Sequence, residues 1–178
     1  MKIESTIIPG LKLLYLDKYV DSRGSFLKVF NDHLFLEHGL SIKINESYFT
    51  VSKKNVIRGM HFQAPPFEHT KLVYLNMGMI EDVVLDIRKE SPTFGKHFSI
   101  KLDEDSPVII NIPKGCAHGF LSLRNNSMIT YLQSSVYNPK YDFGIKWDSF
   151  GMKWKIKNPE ISSRDLSFPS FVEFNSPF

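Results

Sequence analysis

The sequence contains little cysteine: Cys116 is the only one among 178 residues. A single thiol cannot form an intramolecular disulfide, so nothing in the sequence requires an oxidising compartment. Long hydrophobic runs are also missing. The first residues lack the apolar stretch of a signal peptide, and no segment approaches the roughly 20 apolar residues that span a bilayer. We therefore expect a cytoplasmic protein with no membrane partner.

Concentrated positive charge is absent as well. The formal net charge is only +3, and no stretch gathers Lys and Arg as a phosphate-tracking face would. We therefore expect no nucleic-acid partner. A mild positive balance suits a small anionic substrate, although a solvated surface without a specific partner would give the same charge.

The sequence has no internal repeat, low-complexity tract or Pro/Gly/Ser-rich linker, so we predict one domain over residues 1–178. Aromatic residues make up 13% of the chain, which favours β-structure because these side chains fit pleated, half-buried surfaces. Short segments alternate with turn signals, as in a sandwich or barrel. The predicted strands are Leu11–Leu16, Phe26–Phe30, Ile42–Val51, Lys71–Leu75, Met79–Ile87, Phe98–Leu102, Val108–Ile112, Gly119–Leu123 and Ser127–Leu132.

Helical signals are few. Asn31–His38 is the only clear internal helix, with Gly39 as its stop, and residues 162–165 are predicted to open a short terminal helix. The predicted fold class is therefore an all-β jelly roll with one or two short helices. A barrel of this size either binds a ligand in its mouth or is a structural domain whose interior is filled by side chains.

His61 is the first candidate for chemistry. It lies three residues after Arg58, so strict strand alternation would place the two side chains on opposite faces. Gly59 between them is typical of a β-bulge, which would re-aim one of the two. His118 is the second candidate, because Gly115 and Gly119 on either side would let the backbone turn tightly at a rim.

No metal site is predicted. Metal-binding jelly rolls usually carry a His-x-His pair with a Glu on adjacent strands, whereas His61 and His118 are isolated and lack a clustered carboxylate. The remaining histidines lie in polar contexts that favour surface positions: His33, His38, His69 and His97.

A series of longer motifs runs through nearly the whole chain. These are residues 21–24 (DSRG), 52–63 (SKKNVIRGMHFQ), 70–73 (TKLV), 82–95 (DVVLDIRKESPTFG), 112–120 (IPKGCAHGF), Tyr131, 137–139 (YNP), 145–147 (IKW) and 161–165 (ISSRD). In order and spacing they resemble the dTDP-4-dehydrorhamnose 3,5-epimerase family. The resemblance implies a cupin-type jelly roll (double-stranded β-helix) with short peripheral helices, a homodimer and no cofactor. The implied activity is inversion of C3, C5 or both in a nucleotide-linked 4-keto-6-deoxy sugar.

The resemblance also assigns catalytic roles that make chemical sense. A C–H bond next to a ketone is weakly acidic, so its inversion needs a base, a group that stabilises the enolate oxygen, and an acid on the opposite face. His61 matches the base, and Asp165 matches the carboxylate that orients it. Lys71 matches the cation beside the enolate, and Tyr131 matches the acid that returns the proton.

Substrate-binding positions follow from the same resemblance. Arg164 stands where the family commonly has Lys, and guanidinium groups suit diphosphate oxygens. The predicted substrate-binding residues are Arg23, Lys28, Glu46, Tyr48, Arg58, Gln63, His118, Tyr137 and Arg164. Three catalytic positions also have an ordinary structural interpretation: Lys71 as an exposed edge residue, Tyr131 as a core phenol, and Asp165 as a helix-start residue.

Several residues depart from the family pattern. The family usually has Glu where this chain has Lys28, and Gln and Asn where it has Glu46 and Tyr48, at positions resembling those that hold the base. Thymine offers an N3–H donor between carbonyl acceptors, whereas cytosine offers an N3 acceptor and an amino donor. Lys28 donating and Glu46 accepting would suit cytosine. We therefore hypothesise a preference for CDP over dTDP, while GDP remains an open alternative. In a second interpretation, Lys28 and Glu46 form a compensating ion pair and the base is held otherwise.

Two further departures bear on the identity of the sugar. Leu132 and Asp142 stand where the family usually has Lys and Glu.

Three other functions remain open at this point. A nucleotide-sugar 3,4-ketoisomerase would use a related jelly roll, but it tends to carry paired histidines near the first motif, which are absent. A non-catalytic jelly roll that binds sugar nucleotides would need neither a base nor an acid. A metal-dependent cupin oxygenase would lose activity on chelation.

Overall fold

The computed structural model describes every residue, 1–178. The chain forms thirteen strands and two short helices. The strands are β1 (Lys2–Ser5), β2 (Lys12–Tyr15), β3 (Lys18–Asp21), β4 (Gly24–Leu27), β5 (Glu46–Ser52), β6 (Ile57–Gln63), β7 (Lys71–Met77), β8 (Met79–Asp86), β9 (His97–Asp103), β10 (Val108–Ile112), β11 (Cys116–Ser122), β12 (Ser127–Gln133) and β13 (Asp142–Gly144), and the helices are α1 (Asp32–Glu37) and α2 (Ser163–Leu166).

Two antiparallel sheets pack face to face. One has six strands in the order β1-β2-β10-β7-β12-β5, and the other has five in the order β13-β6-β11-β8-β9. The largest hydrophobic cluster contains 15 buried residues from both sheets, among them Val73 and Ile129 from the first and Val84 and Phe120 from the second. Burial of these alternate side chains between the sheets stabilises the sandwich. The predicted all-β jelly roll is therefore confirmed.

A second hydrophobic layer covers the outer face of the five-stranded sheet. Met60 and Leu85 on that face pack with Ile145 and Phe150 from the C-terminal segment in a cluster of nine buried residues. This packing holds the segment that contains α2 against β6. Neither helix in the chain is long and apolar enough to cross a bilayer.

Some strand boundaries were predicted wrongly. The strand expected over Phe26–Phe30 ends at Leu27, because Phe30 packs edge-on against Phe35 of α1 instead. The strand expected over Ile42–Val51 begins only at Glu46. Strands β1, β3, β6 and β13 were not predicted; β1 and β3 have no fully buried residue, and β13 has three residues only.

Both helices begin where capping residues predict, and α1 also ends at its predicted stop. Asn31 Oδ1 accepts the Leu34 N–H at 3.2 Å, and Gly39 follows the helix with φ +69°, which suits glycine. Ser162 Oγ accepts the Asp165 N–H at 3.1 Å at the start of α2. The Ser162 cap therefore fixes the backbone that carries Asp165.

A bulge in β6 shapes the site. The register between β6 and β11 shifts between the His118–His61 and Phe120–Arg58 pairs. Gly59 lies in this shift with φ +123°, and a Cβ there would lie 2.6 Å from Gly119 Cα. The bulge predicted at Gly59 is confirmed. The turn predicted at Gly119 is wrong, because this residue lies inside β11, where its missing side chain admits the close approach of β6.

Candidate active site

Two adjoining cavities meet at His61 and Arg164. The first has a volume of about 330 Å³, and the second, of about 430 Å³, brings in Arg58 and Asp165. The predicted site residues that line the first are Glu46, Tyr48, His61, Gln63, Lys71, Tyr137 and Arg164. The structure thus gathers nine of the thirteen predicted site residues around one concave region, although they come from distant parts of the chain.

His61 is held by Asp165. Its Nε2 lies 2.9 Å from Asp165 Oδ1, and the other oxygen, Oδ2, accepts the Gly59 N–H at 3.0 Å. The His61 side chain is 31% exposed, whereas that of Asp165 is only 6% exposed. The carboxylate is therefore mostly buried behind an imidazole that faces both cavities.

The Asp165 carboxyl remains ionised. Burial by itself raises its pKa, but hydrogen bonds from His61 and from the Gly59 N–H more than offset this and lower the pKa below its ordinary value. A carboxylate can only accept hydrogen bonds, so the shared proton belongs to His61 Nε2. The His61 Nδ1 lone pair is then free to take a proton.

Lys71 opens β7 and is buried, with 6% of its surface exposed. Burial lowers the pKa of Lys71 to about 8, against the opposing influence of Asp142 and Asp82. Its ammonium group forms no ion pair within the chain and lines the first cavity. The interpretation of Lys71 as an exposed edge residue is therefore wrong.

Tyr131 is buried against Tyr48, with ring centroids 4.7 Å apart and a near-parallel 19° between the rings. Tyr48 lines the first cavity, whereas Tyr131 is 5% exposed and lies in the large hydrophobic cluster. Burial raises the pKa of Tyr131 far above its ordinary range, so the phenol keeps its proton. The structure therefore provides a protonated phenol beside the cavity but not in its wall.

His118 is also more buried than predicted. Its Nε2 lies 2.8 Å from Asp82 Oδ2, and the two side chains are 4% and 1% exposed. It pairs with His61 across β6 and β11, and its ring meets Tyr131 edge-on with centroids 6.0 Å apart. His118 thus links the two catalytic candidates, but it lines neither cavity, so its role in binding substrate stays a prediction.

The remaining polar residues of the cavities have partners of their own. Arg58 Nε donates to Ser52 Oγ at 3.0 Å, and Arg164 Nη2 forms an ion pair with Asp142 Oδ2 at 2.6 Å. Gln63 joins two backbone segments next to the cavity. Its Oε1 accepts the Asn138 N–H, and its Nε2 faces the carbonyl oxygens of residues 67 and 136. The Gln63 amide is therefore used mainly inside the protein.

Arg23 and Lys28 lie outside both cavities. Arg23 is on the two-stranded ribbon β3–β4, which is separate from the main sheets, and its guanidinium pairs with Asp21. Lys28 follows β4 and lines a different depression beside α1. Within a single chain the ribbon does not pack over the cavities, so a substrate-binding role for Arg23 and Lys28 stays a prediction.

The alternative interpretation of Lys28 and Glu46 as an ion pair is also wrong within one chain. No contact joins the two, and a carboxylate oxygen of Glu46 accepts the Tyr137 N–H instead. Glu46 thereby fixes the segment that carries Tyr137 at the cavity wall.

His69 is the site residue that the sequence analysis placed wrongly. Its polar neighbours predict a surface position, yet it is only 8% exposed and lines the first cavity. The signal that could have found it is its spacing: it precedes Lys71 by two residues, which puts both side chains on one side of an extended chain. Asp142, which also lines the cavity, is placed there by the pairing of β13 with β6, in which it lies opposite Gln63.

Comparison with known proteins decides the family. Residues 5–173 match the sequence profile described as dTDP-4-dehydrorhamnose 3,5-epimerase. A protein of that name from Shigella flexneri is 34% identical over 176 residues, covering 97% of each chain.

The chain belongs to the dTDP-4-dehydrorhamnose 3,5-epimerase family.

Solved structures of family members agree. The dTDP-4-dehydrorhamnose 3,5-epimerase of Bacillus anthracis strain Ames, with TDP and pyrophosphate bound, superposes with a TM-score of 0.92 at 31% identity, covering 96% of this chain and 99% of that one. The 3,5-epimerase of Legionella pneumophila Philadelphia 1, in complex with dTDP-4-keto-L-rhamnose, gives 0.93 at 30% identity, covering 98% and 94%. The present protein is therefore an isomerase of the epimerase type with a cupin jelly roll. No group of three or more His, Cys, Asp or Glu side chains in this epimerase is arranged to hold a metal ion.

The low pKa of Lys71 predicts an alkaline limit to activity. Lys71 is charged below about pH 8 and neutral above it, so kcat/KM of this epimerase, which reports the groups of the free enzyme, should fall as the pH rises through about 8, because the cavity loses its cation. Arginine keeps its charge at high pH, so in Lys71→Arg the alkaline limb should move upward. Initial rates from pH 6.5 to 10 measure this; an unmoved limb in Lys71→Arg would assign the titration to another group.

Proposed function

We propose that this protein inverts C3, C5 or both of a nucleotide-linked 4-keto-6-deoxy sugar through an enolate, without a cofactor. The observation that carries the proposal is that His61 lines the same cavity as the Lys71 cation and is paired with a buried, ionised Asp165 behind it. The ligands named for the related structures, TDP and dTDP-4-keto-L-rhamnose, support this substrate class.

The chemistry begins at His61. Its Nδ1 lone pair takes the proton from the carbon next to the ketone, and Asp165 stabilises the imidazolium that results. The pair of electrons from that C–H bond moves onto the ketone oxygen, giving an enolate. Lys71 lies in the same cavity as a cation in place before the reaction, so its charge favours the transition state.

Tyr131 completes the inversion. A phenol that keeps its proton can donate it to the carbon from the face opposite His61, and reprotonation from that face is what changes the configuration. The enolate electrons return to form the new C–H bond and restore the ketone, leaving Tyr131 as a phenolate. Water then returns a proton to the phenolate and removes one from the His61 imidazolium, so both side chains regain their starting states. Tyr48, stacked on Tyr131, holds the phenol ring in one orientation.

Solvent exchange tests the proposed function directly. A nucleotide-linked 4-keto-6-deoxy sugar incubated with the wild-type protein in heavy water should gain deuterium at C3, C5 or both while the carbonyl stays at C4. NMR reads which carbons exchange. A carbonyl moved to C3 would instead indicate a ketoisomerase, binding without exchange would indicate a sugar-nucleotide-binding module, and activity lost on chelation would indicate a metal-dependent enzyme.

We also propose that the protein acts as a homodimer, with Arg23 and Lys28 serving the partner's cavity. The ribbon that carries them exposes apolar side chains, with Tyr19, Val20 and Phe26 between 58% and 73% exposed. Strand β5 forms an unpaired sheet edge beside the cavity, and Phe49 on it is 60% exposed. Exposed apolar surface of this kind marks an interface. A ribbon docked near that edge would place two cations where the nucleotide enters.

The nucleotide preference is a finer proposal: CDP rather than dTDP. The Glu46 carboxylate lines the first cavity beside Tyr48 and Tyr137, so it presents acceptor oxygens to a base. The cytosine amino group can donate to such an acceptor, and Lys28 from a partner could donate to cytosine N3. Thymine offers a carbonyl oxygen where cytosine has the amino group, and a carboxylate repels it.

A panel of dTDP-, CDP- and GDP-linked 4-keto sugars tests this preference. We expect kcat/KM to be highest for the CDP sugar, and we expect the Lys28→Glu/Glu46→Gln double variant to move the preference towards dTDP by about tenfold, the value of one or two hydrogen bonds. Lys18→Glu, on the same ribbon but paired with Asp105, is the matched charge control. A clear preference of the wild-type protein for dTDP would refute the assignment.

A further inference from the structure

His69 is a buried histidine that lines the first cavity but has no role in the mechanism proposed above. Only 8% of its surface is exposed, yet its ring forms part of the wall of the cavity that contains His61 and Lys71. Only one of its ring nitrogens is used inside the protein. Nδ1 lies 3.3 Å from Gln63 Nε2, with Phe67 O and Ser135 Oγ at 3.4 and 3.5 Å.

The hydrogen bonds around Gln63 determine which ring nitrogen carries the proton. The Asn138 N–H donates to Gln63 Oε1 at 2.6 Å, so the Gln63 amide must turn its donor nitrogen towards His69. The two N–H groups of Gln63 Nε2 lie near three acceptors, Phe67 O, Val136 O and His69 Nδ1, at 3.2 to 3.3 Å. Because Ser135 Oγ already donates to Phe67 O at 2.8 Å, every group is paired when the two Gln63 N–H groups serve Val136 O and His69 Nδ1. Nδ1 is therefore an acceptor, and the proton of the neutral ring is on Nε2.

His69 Nε2 is free to bind a ligand. It makes no hydrogen bond within the chain, and it is not among the four fully enclosed polar atoms that lack a partner. The Nε2–H therefore opens onto the cavity that the ring lines. The ring stays neutral, because burial and the nearby charge of Lys71 lower the pKa of His69 to about 3.

We propose that His69 donates its Nε2–H to the ketone oxygen of the bound sugar, so that Lys71 and His69 together form a two-donor oxyanion hole. Neighbouring donors aimed at a single oxygen stabilise the charge that develops there as the enolate forms. His69 supplies a hydrogen bond without a second positive charge, which would repel the Lys71 ammonium. This inference rests on the proposed function, because the oxygen in question belongs to its enolate.

Two substitutions test the donor. His69→Phe fills the same space without a donor, so we expect kcat for solvent exchange at the sugar carbons to fall about 100-fold while KM changes little, since the lost interaction strengthens in the transition state. His69→Gln offers an amide donor and should recover activity to within about tenfold of wild type. His97→Phe, a half-buried histidine packed on Phe150 outside both cavities, is the control.

The outcomes separate this inference from the proposed function. Normal exchange by His69→Phe beside an active wild-type protein would overturn the oxyanion role of His69 alone, whereas absence of exchange by the wild-type protein would overturn both. If His69→Phe does not fold, ¹⁵N NMR of the wild-type protein decides the point. An Nε2–H tautomer whose signal shifts when the sugar nucleotide binds is expected, and an imidazolium or an Nδ1–H tautomer would refute the proposal.

Discussion

Replacing His61 with alanine should abolish deuterium exchange at every carbon of the sugar, with a loss of about 10³-fold or more. General-base catalysis alone contributes roughly 10² to 10⁴, and alanine leaves Asp165 with no group through which to act. The side chain is 31% exposed and its ring makes one hydrogen bond, so the fold should tolerate the change. Exchange followed by NMR, with the thermal midpoint measured in parallel, provides the readout.

The controls for His61→Ala separate loss of the base from loss of the fold. His97→Ala removes a half-buried imidazole outside the cavities and should leave exchange near the wild-type rate. Asp165→Asn keeps the volume of the carboxylate but removes the charge that stabilises the imidazolium, so its loss should be smaller than that of His61→Ala. If His61→Ala exchanged at the wild-type rate, another base would be at work.

The second large effect is expected from Tyr131→Phe, which should separate exchange from inversion. His61 can still remove a proton and return one from solvent on its own side, so exchange at the carbon should survive better than net inversion. We expect inversion to fall by about 10² to 10³, the usual contribution of a positioned acid. The measurement compares the rate of deuterium entry with the rate of formation of the inverted sugar.

The fold should accommodate this change because phenylalanine keeps the ring that stacks on Tyr48 and packs in the large cluster. Tyr74→Phe is the matched control, because it removes a phenol from β7, the strand paired with β12. Tyr74 packs against a third hydrophobic cluster, which contains Leu72 and Ile109. Equal losses of exchange and inversion in Tyr131→Phe would argue that Tyr131 serves the base step rather than reprotonation.

Periodicity and composition predicted the sheets but not the site. The β7, β8, β10 and β12 strands have continuous or alternating apolar residues, so local pattern suffices for them. The bulge at Gly59 was also predictable, because two polar residues an odd number apart flanked a glycine. Weakly patterned strands such as β3 and β13 were missed, because exposed or very short strands carry little hydrophobic signal.

The site itself depends on long-range contacts that residue pattern does not encode. Only the family resemblance placed Asp165 beside His61, and a local interpretation of Ser162 and Asp165 sees nothing beyond a helix start. His69 was placed on the surface because its neighbours Glu68 and Thr70 are polar, although tertiary packing buries it. Arg23 lies outside both cavities of its own chain, and a sequence motif does not show which copy of a chain a binding residue serves.

The contact between His61 and Asp165 has a consequence for the order of events during synthesis. The two residues are 104 positions apart, and all thirteen strands precede Asp165 in the chain. A nascent polypeptide can therefore complete both sheets while its imidazole still lacks the carboxylate that aligns it. Chemical competence is therefore gained only when the C-terminal segment docks against β6, and a chain cut before α2 would keep every strand but lack the carboxylate.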